Sequence, residues 1–214
     1  MGLTAAELLP DYQASLSDAA GVFGDDTTTP TLEQNLTRHL KVAALALSVD
    51  GKRPLVKSAE FTVVAGTARY AEVPDDLVVP RANLWPTYAA QSLQPWEQPI
   101  EPLPAIYKIT TAAGDVLMLS PAPTCAQVRA YGSTFGYTYL AAHAVTDDAD
   151  TSTLLVTDKN LVILRAQVEA MREMAFRNIH KPVNLKAAGG GAVSSNMQPS
   201  ALYEKLLEEY RSAA

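Results

Sequence analysis

The feature that most limits what this chain can become is the stretch 59–144, where short alternating segments are cut repeatedly by proline and glycine. Phe61, Val63 and Ala65 alternate with Thr62 and Val64 before Gly66 breaks the run. Residues 70–73 follow and stop at Pro74, Asp75 and Asp76. Segments 106–111 and 115–119 flank Ala112, Ala113 and Gly114, a hairpin signal with β-rich arms. Residues 128–131 and 137–142 read as two further strands separated by 132–136. Period-two patterning between turn residues predicts an antiparallel β-module. Within it, 79–104 carries Pro80, Pro86, Pro95, Pro99, Pro102 and Pro104. Proline at that density removes ladder donors and predicts an extended loop or edge, not a central strand. Trp85, Tyr88 and Trp96 lie in the same stretch and predict an ordered loop, packed either on its own sheet or as an interface loop.

Helical patterns flank the module. Thr4 and Glu7 form a capping-box pattern, but Pro10 resists a continuous helix, so one turn and then a short helix over 10–20, ended by Gly21, are expected. A polar loop spans 24–30. Thr31 and Gln34 repeat the capping box before a helix over 31–48, with Leu32, Leu36, Leu40, Ala43 and Leu47 on one face. Asp50 and Gly51 end it, and 52–57 reads as a connector. Asp147, Asp148 and Asp150 lack the glycine and distal glutamate of a calcium loop and read as a polar turn. Asp158 then caps a long helix ending near 179, with Leu161, Leu164, Val168, Met171 and Ala175 as its stripe. Arg165–Glu169 and Glu173–Arg177 are opposite charges four apart, expected on its wet side. Residues 181–197, with Gly189, Gly190 and Gly191, read as a linker, and the glycine triplet lacks the strand and the Lys-Ser or Lys-Thr of a phosphate loop. Pro199 opens a last helix reaching about 211, with Tyr203, Leu206, Leu207 and Tyr210 on one face. So short a helix is marginal alone and needs a surface, on its own domain or on another chain.

The expected fold class is therefore α+β: a helical bundle with an inserted antiparallel β-module and a flexible C-terminal arm ending in a helix. The expected domains are 1–57 with 151–181, 58–150, and 182–214.

Chemistry is sparse. A net charge of −6 without clustered Lys or Arg argues against a duplex-DNA binder. One cysteine, Cys125, forms no internal disulfide or thiolate cluster and is expected to be a small buried thiol in a reducing, cytoplasmic setting. No apolar run approaches the ~20 residues that cross a bilayer, and the start lacks a signal pattern, so no membrane association is expected. His39, His143 and His180 have no metal-ligand spacing; His39 reads as a helix-surface or core residue, and His180 ends a helix. A Cys125–His143 pair has no supporting flank. The expectation is no enzyme, no metal and no cofactor. A different reading is a carbohydrate- or ligand-binding β-module with Trp85 and Trp96 as a stacking platform.

The order of parts adds a resemblance. Helices come first, then Phe61-x-Val63-x-Ala65-Gly66-x-x-x-Tyr70-x-x-x-Pro74-Asp75-Asp76, a proline-rich stretch, a hairpin over 107–119 running into Pro121 and Pro123, an acidic turn, a long helix and a C-terminal tail. Over most of its length the chain resembles the head–tail connector (adaptor) proteins of tailed bacteriophages. That resemblance implies a non-enzymatic virion protein at the head–tail interface, assembled in the host cytoplasm. It implies a dodecameric ring of identical copies under the portal protein. Such a ring meets the next tail or head-completion protein and extends the channel through which genomic DNA passes. It also implies that the C-terminal arm, with Met197, Leu202, Tyr203, Leu206, Leu207 and Tyr210, binds the portal or a neighbour; deleting 197–214 is then expected to spare the fold and abolish portal binding. A tail-completion or stopper protein is the nearest structural alternative.

Overall fold

The computed structural model describes residues 2–24, 30–88, 99–178 and 199–213. The fold is α+β, and the described chain divides into two compact units. Met1–Lys52 and His143–Ala214 make a helical unit, and Arg53–Ala142 makes a β-unit. The β-unit thus starts earlier and ends sooner than the expected 58–150.

The helical unit begins with α1, Ala5–Leu16, whose Thr4–Glu7 capping box forms as expected. The helix continues past Pro10, against the expected break. Pro10 cannot donate to the Ala6 carbonyl, but both residues are exposed, so water can take the freed oxygen. On the opposite face Leu8 and Tyr12 are fully buried, worth roughly 2–3 kcal/mol each, which outweighs the proline penalty of about 3 kcal/mol. A 3-10 helix, Ser17–Phe23, follows, and α2, Leu32–Val49, opens on the Thr31–Gln34 box. Its stripe of Leu36, Leu40, Ala43 and Leu47 is buried as the spacing predicts. The long helix α4, Lys159–Asn178, lies against both α1 and α2 and buries Val162, Ala166, Ala170 and Met171. Ahead of it, Gly2 and Leu3 donate to the carbonyls of Ala149 (3.0 Å) and Leu154 (2.8 Å). A Cβ on Gly2 would sit 2.1 Å from the Ser152 oxygen, so only glycine permits that approach.

The last helix, α5, Pro199–Ser212, packs on α4 of its own unit. Tyr210 is buried, and Leu202, Tyr203, Leu206 and Leu207 are half-buried against the same core as α1 and α2. Lys52 Nζ donates to the carbonyls of Arg211 (2.6 Å) and Ala213 (2.7 Å), so an ammonium closes the negative end of the helix. The arm's apolar face is therefore used at home. The same docking corrects the placement of Arg165 and Glu169. They pair at 2.7 Å but are largely buried, with the guanidinium 5.6 Å from the Tyr210 ring centroid instead of on a wet face.

The β-unit holds two three-stranded antiparallel sheets, in orders β1-β6-β3 and β2-β5-β4. Their strands are β1 Leu55–Thr62, β2 Arg69–Tyr70, β3 Leu77–Asn83, β4 Ala105–Thr111, β5 Gly114–Ser120 and β6 Thr134–Ala141. The expected hairpin is β4–β5, with Thr111 opposite Gly114. Strand β3 lies at a sheet edge, where Pro80 is tolerated and register shifts flank it. Central β6 turns Phe135, Tyr137, Tyr139 and Ala141 inward at period two.

Two expectations fail here. Residues 128–131 are not a strand but part of α3, Cys125–Tyr131, because Thr124 and Gln127 form a third capping box and Gly132 (φ 87°) ends the helix. Cys125, first in that helix, is exposed instead of buried.

Replacing Tyr210 with Ala should lower unfolding stability by about 3 kcal/mol, read from urea denaturation of the full chain. Deleting 199–214 should destabilise the helical unit instead of leaving it intact. A truncated chain with an unchanged midpoint would mean that α5 is dispensable to the fold.

Candidate functional site

Among the described residues, a cluster of ionisable side chains lies where α2 meets α4. Spacings of three and four bring Arg38, His39 and Val42 to one side of α2, and Glu169, Arg172, Glu173, Phe176 and Arg177 to the facing side of α4. Together they line an open groove of about 510 Å³.

The floor of the groove is a polar relay. The His39 Nε2 lies 2.9 Å from the Glu173 carboxylate, and its Nδ1 lies 2.9 Å from the Tyr12 hydroxyl. Tyr12 is also within 2.9 Å of the Ala166 carbonyl. Arg38 donates to Glu173 at 2.5 Å, and Arg177 donates to the same carboxylate and to the Val22 carbonyl (2.8 Å). The Phe23 ring lies against both His39 and Arg177, at 5.0 and 5.6 Å. Four segments of the helical unit are tied through one carboxylate.

Proton positions follow from this geometry. The carboxylate only accepts, so Nε2 carries the proton that faces Glu173. With the imidazole neutral, Nδ1 accepts from Tyr12; with it charged, Nδ1 donates to Tyr12, and the hydroxyl turns to Ala166. Burial holds the His39 pKa below its ordinary value, in spite of Glu173, so the neutral form prevails at neutral pH. Burial pushes the Glu173 carboxyl up, but hydrogen bonds from His39, Arg177 and Arg38 bring it down to about 2. Burial and then the Glu173 charge raise the Tyr12 phenol. His39 is 2% exposed and Tyr12 0% exposed, so the imidazole and phenol are buried and hold helices in register, while Glu173 and its two arginines reach the groove surface.

The sequence-predicted residues fall elsewhere. Trp85 is fully buried in the β-unit; its Nε1 donates to the Gly132 carbonyl (2.9 Å), and its ring meets Tyr131 edge-on and Phe135 at a tilt. A buried indole offers no stacking platform to a sugar. Tyr88 closes the 3-10 helix Trp85–Tyr88, while Trp96, Met197, His180 and Gly189–191 lie outside the described residues. Leu202, Tyr203, Leu206, Leu207 and Tyr210 face their own core. His143 is buried in the helical unit with Nδ1 3.0 Å from the Thr153 hydroxyl, and Cys125 belongs to the β-unit. In the Tyr70…Asp76 motif, the Tyr70 hydroxyl donates to Thr67 (2.8 Å). Asp76 accepts from Lys57 (2.6 Å) and Tyr139 (2.9 Å), joining β1 to β6. Against burial, which raises it, those two bonds hold the Asp76 carboxyl below its usual range.

What sequence reasoning missed is a second apolar line on α2. Val42, Leu45 and Val49 are 41, 46 and 62% exposed, and Phe176 across the groove is 62% exposed. Their spacing of three and four was the available signal. No group of three or more potential metal ligands occurs among the described residues, and no described helix is long and apolar enough to cross a membrane. No protein-family model matches the chain, and no curated protein matches it either.

Glu173→Gln should cost about 1–2 kcal/mol at neutral pH, since the stranded guanidiniums remain partly solvated. The folded-state pKa lies below the ordinary 4.5, so the wild-type advantage exists above 4.5 and fades as pH falls towards about 2. Urea titrations across that window should show the two proteins converging. A gap that widens on acidification would refute this assignment.

Proposed function

We propose that this chain is a virion structural protein, an adaptor subunit that assembles in a ring of identical copies beneath the portal and docks the tail. The observation that carries the reading is the exposed apolar line of Val42, Leu45 and Val49 on α2, with exposed Phe176 of α4 across the groove from Val42. Apolar side chains aligned over several turns and left wet are the mark of a surface that another protein covers. The resemblance supplies the identity of that protein class, and the insertion of a β-unit between α2 and α4 agrees with its order of parts.

The acidic balance supports a passive channel role. A net charge of −6 repels phosphate, so DNA passes without adhering. In this reading the terminal helix completes the subunit, and portal contact falls to other surfaces. No chemistry is assigned, and no cofactor or metal is required.

Mixing the purified protein with the portal protein of the same virus and imaging by negative stain should reveal a ring seated on the portal. Persisting single particles with unoccupied portals would overturn the adaptor role. A ring found at the distal face of another connector would move the protein to the stopper position.

A further inference from the structure

We propose that the two ends of α4 carry the two halves of a head-to-tail contact, in which Leu155 and Val156 of one copy seat in the Val42–Phe176 groove of the next. This inference deepens the assembly reading above but does not depend on a portal.

The first half precedes α4. Leu155 and Val156 are 59 and 70% exposed, an apolar knob at the start of the helix. The turn carrying Asp147, Asp148 and Asp150 stands beside it, all three exposed. Gly2 and Leu3, neighbours in the chain, bridge the two by bonding Ala149 and Leu154. The knob is therefore apolar with an acidic flank.

The second half is the groove near the other end of the same helix. Its apolar centre is Val42 and Phe176, and its rim holds three guanidiniums, Arg38, Arg172 and Arg177, against two carboxylates. Arg38 and Arg172 side chains are 56 and 58% exposed, with Arg172 only 3.5 Å from its partner Glu169 at the nearest. In an acidic chain this is a local excess of positive charge, facing an apolar seat.

The knob and groove match in polarity and charge, yet one copy cannot bring its own together. The 20 residues of α4 set them roughly 25–30 Å apart on a rigid rod. Like-to-like contacts are also disfavoured, because they set acid against acid or guanidinium against guanidinium. A second copy, displaced so that knob meets groove, satisfies both. Such a contact is heterologous, leaves a knob and a groove unused at each step, and propagates into a ring or a helical filament.

The test is disulfide trapping of the full chain as a Val156→Cys/Phe176→Cys double variant in a Cys125→Ser background. Both positions are exposed, so the fold should be kept, and circular dichroism checks this. A disulfide needs Cα atoms within about 7 Å, so any 156–176 link must join two copies. The expected result is a ladder of covalent oligomers whose peptide maps contain 156–176 links, with each single variant stopping at dimers. Reversing Asp147, Asp148 and Asp150 to Arg should slow ladder formation at low salt at least about tenfold. Monomers alone, a ladder joined only through 156–156 and 176–176 links, or a rate indifferent to the charge reversal would each overturn the proposal. The experiment contains no portal, so the head-to-tail contact and the adaptor role fail separately.

Discussion

The helical unit depends on how one carboxylate is shared. Glu173 receives Arg38 and His39 from α2 and Arg177 from its own helix, while His39 passes the connection to Tyr12 on α1. Remove the carboxylate and the imidazole loses the acceptor that fixes its tautomer, and two guanidiniums lose the charge that holds them beside apolar side chains. Each bond alone is modest, but they converge on one group, so their geometry is fixed jointly. The relay also decides what the surface above it looks like. With Arg38 and Arg177 drawn towards Glu173, Val42 and Phe176 remain as the open apolar seat between them.

The two units are stabilised by different materials. In the helical unit the core is chiefly aliphatic, leucines and alanines from α1, α2 and α4, with Tyr12, Phe23 and Tyr210 fully buried among them. Small residues such as Ala43, Ala44, Ala166 and Ala170 let helices approach closely. In the β-unit the core is aromatic: Phe61 lies 4.7 Å from Tyr70 and 5.1 Å from Phe135, and Trp85 lies 5.3 Å from Phe135. Short strands have few positions per face, and large rings fill the space between small sheets with few residues. That demand explains why the only described tryptophan is sealed inside instead of offered to a partner.

Most places where local sequence rules mislead share a cause. At Pro10, at Arg165 with Glu169 and at the terminal helix, a neighbour distant in sequence reverses what the local pattern favours, whereas at 128–131 one local signal, the Thr124–Gln127 capping box, outweighs the β-prone residues that follow it. Leu8 and Tyr12 find a core that carries α1 past its proline. Gln127 reaches the Pro102 carbonyl (2.9 Å), which anchors a helix where β-prone residues suggest a strand. Tyr210 lies over Arg165, which turns an apparent surface ion pair into a covered one. The groove is half legible: the Glu173–Arg177 pair stands in the spacing, but its convergence with Arg38, His39 and Tyr12 does not.

The sequence by itself determined the class of fold, the extents of α2 and α4, the β4–β5 hairpin and the edge position of the proline-bearing strand. Those features follow from hydrophobic period, capping boxes and the missing amide of proline, all of which act within a few residues. Only the tertiary structure decided that α5 closes its own unit, that Trp85 is core, and that one carboxylate binds helices far apart in the chain. Those outcomes rest on which surfaces meet, and burial and charge pairing across such surfaces carry no periodic trace in the order of residues.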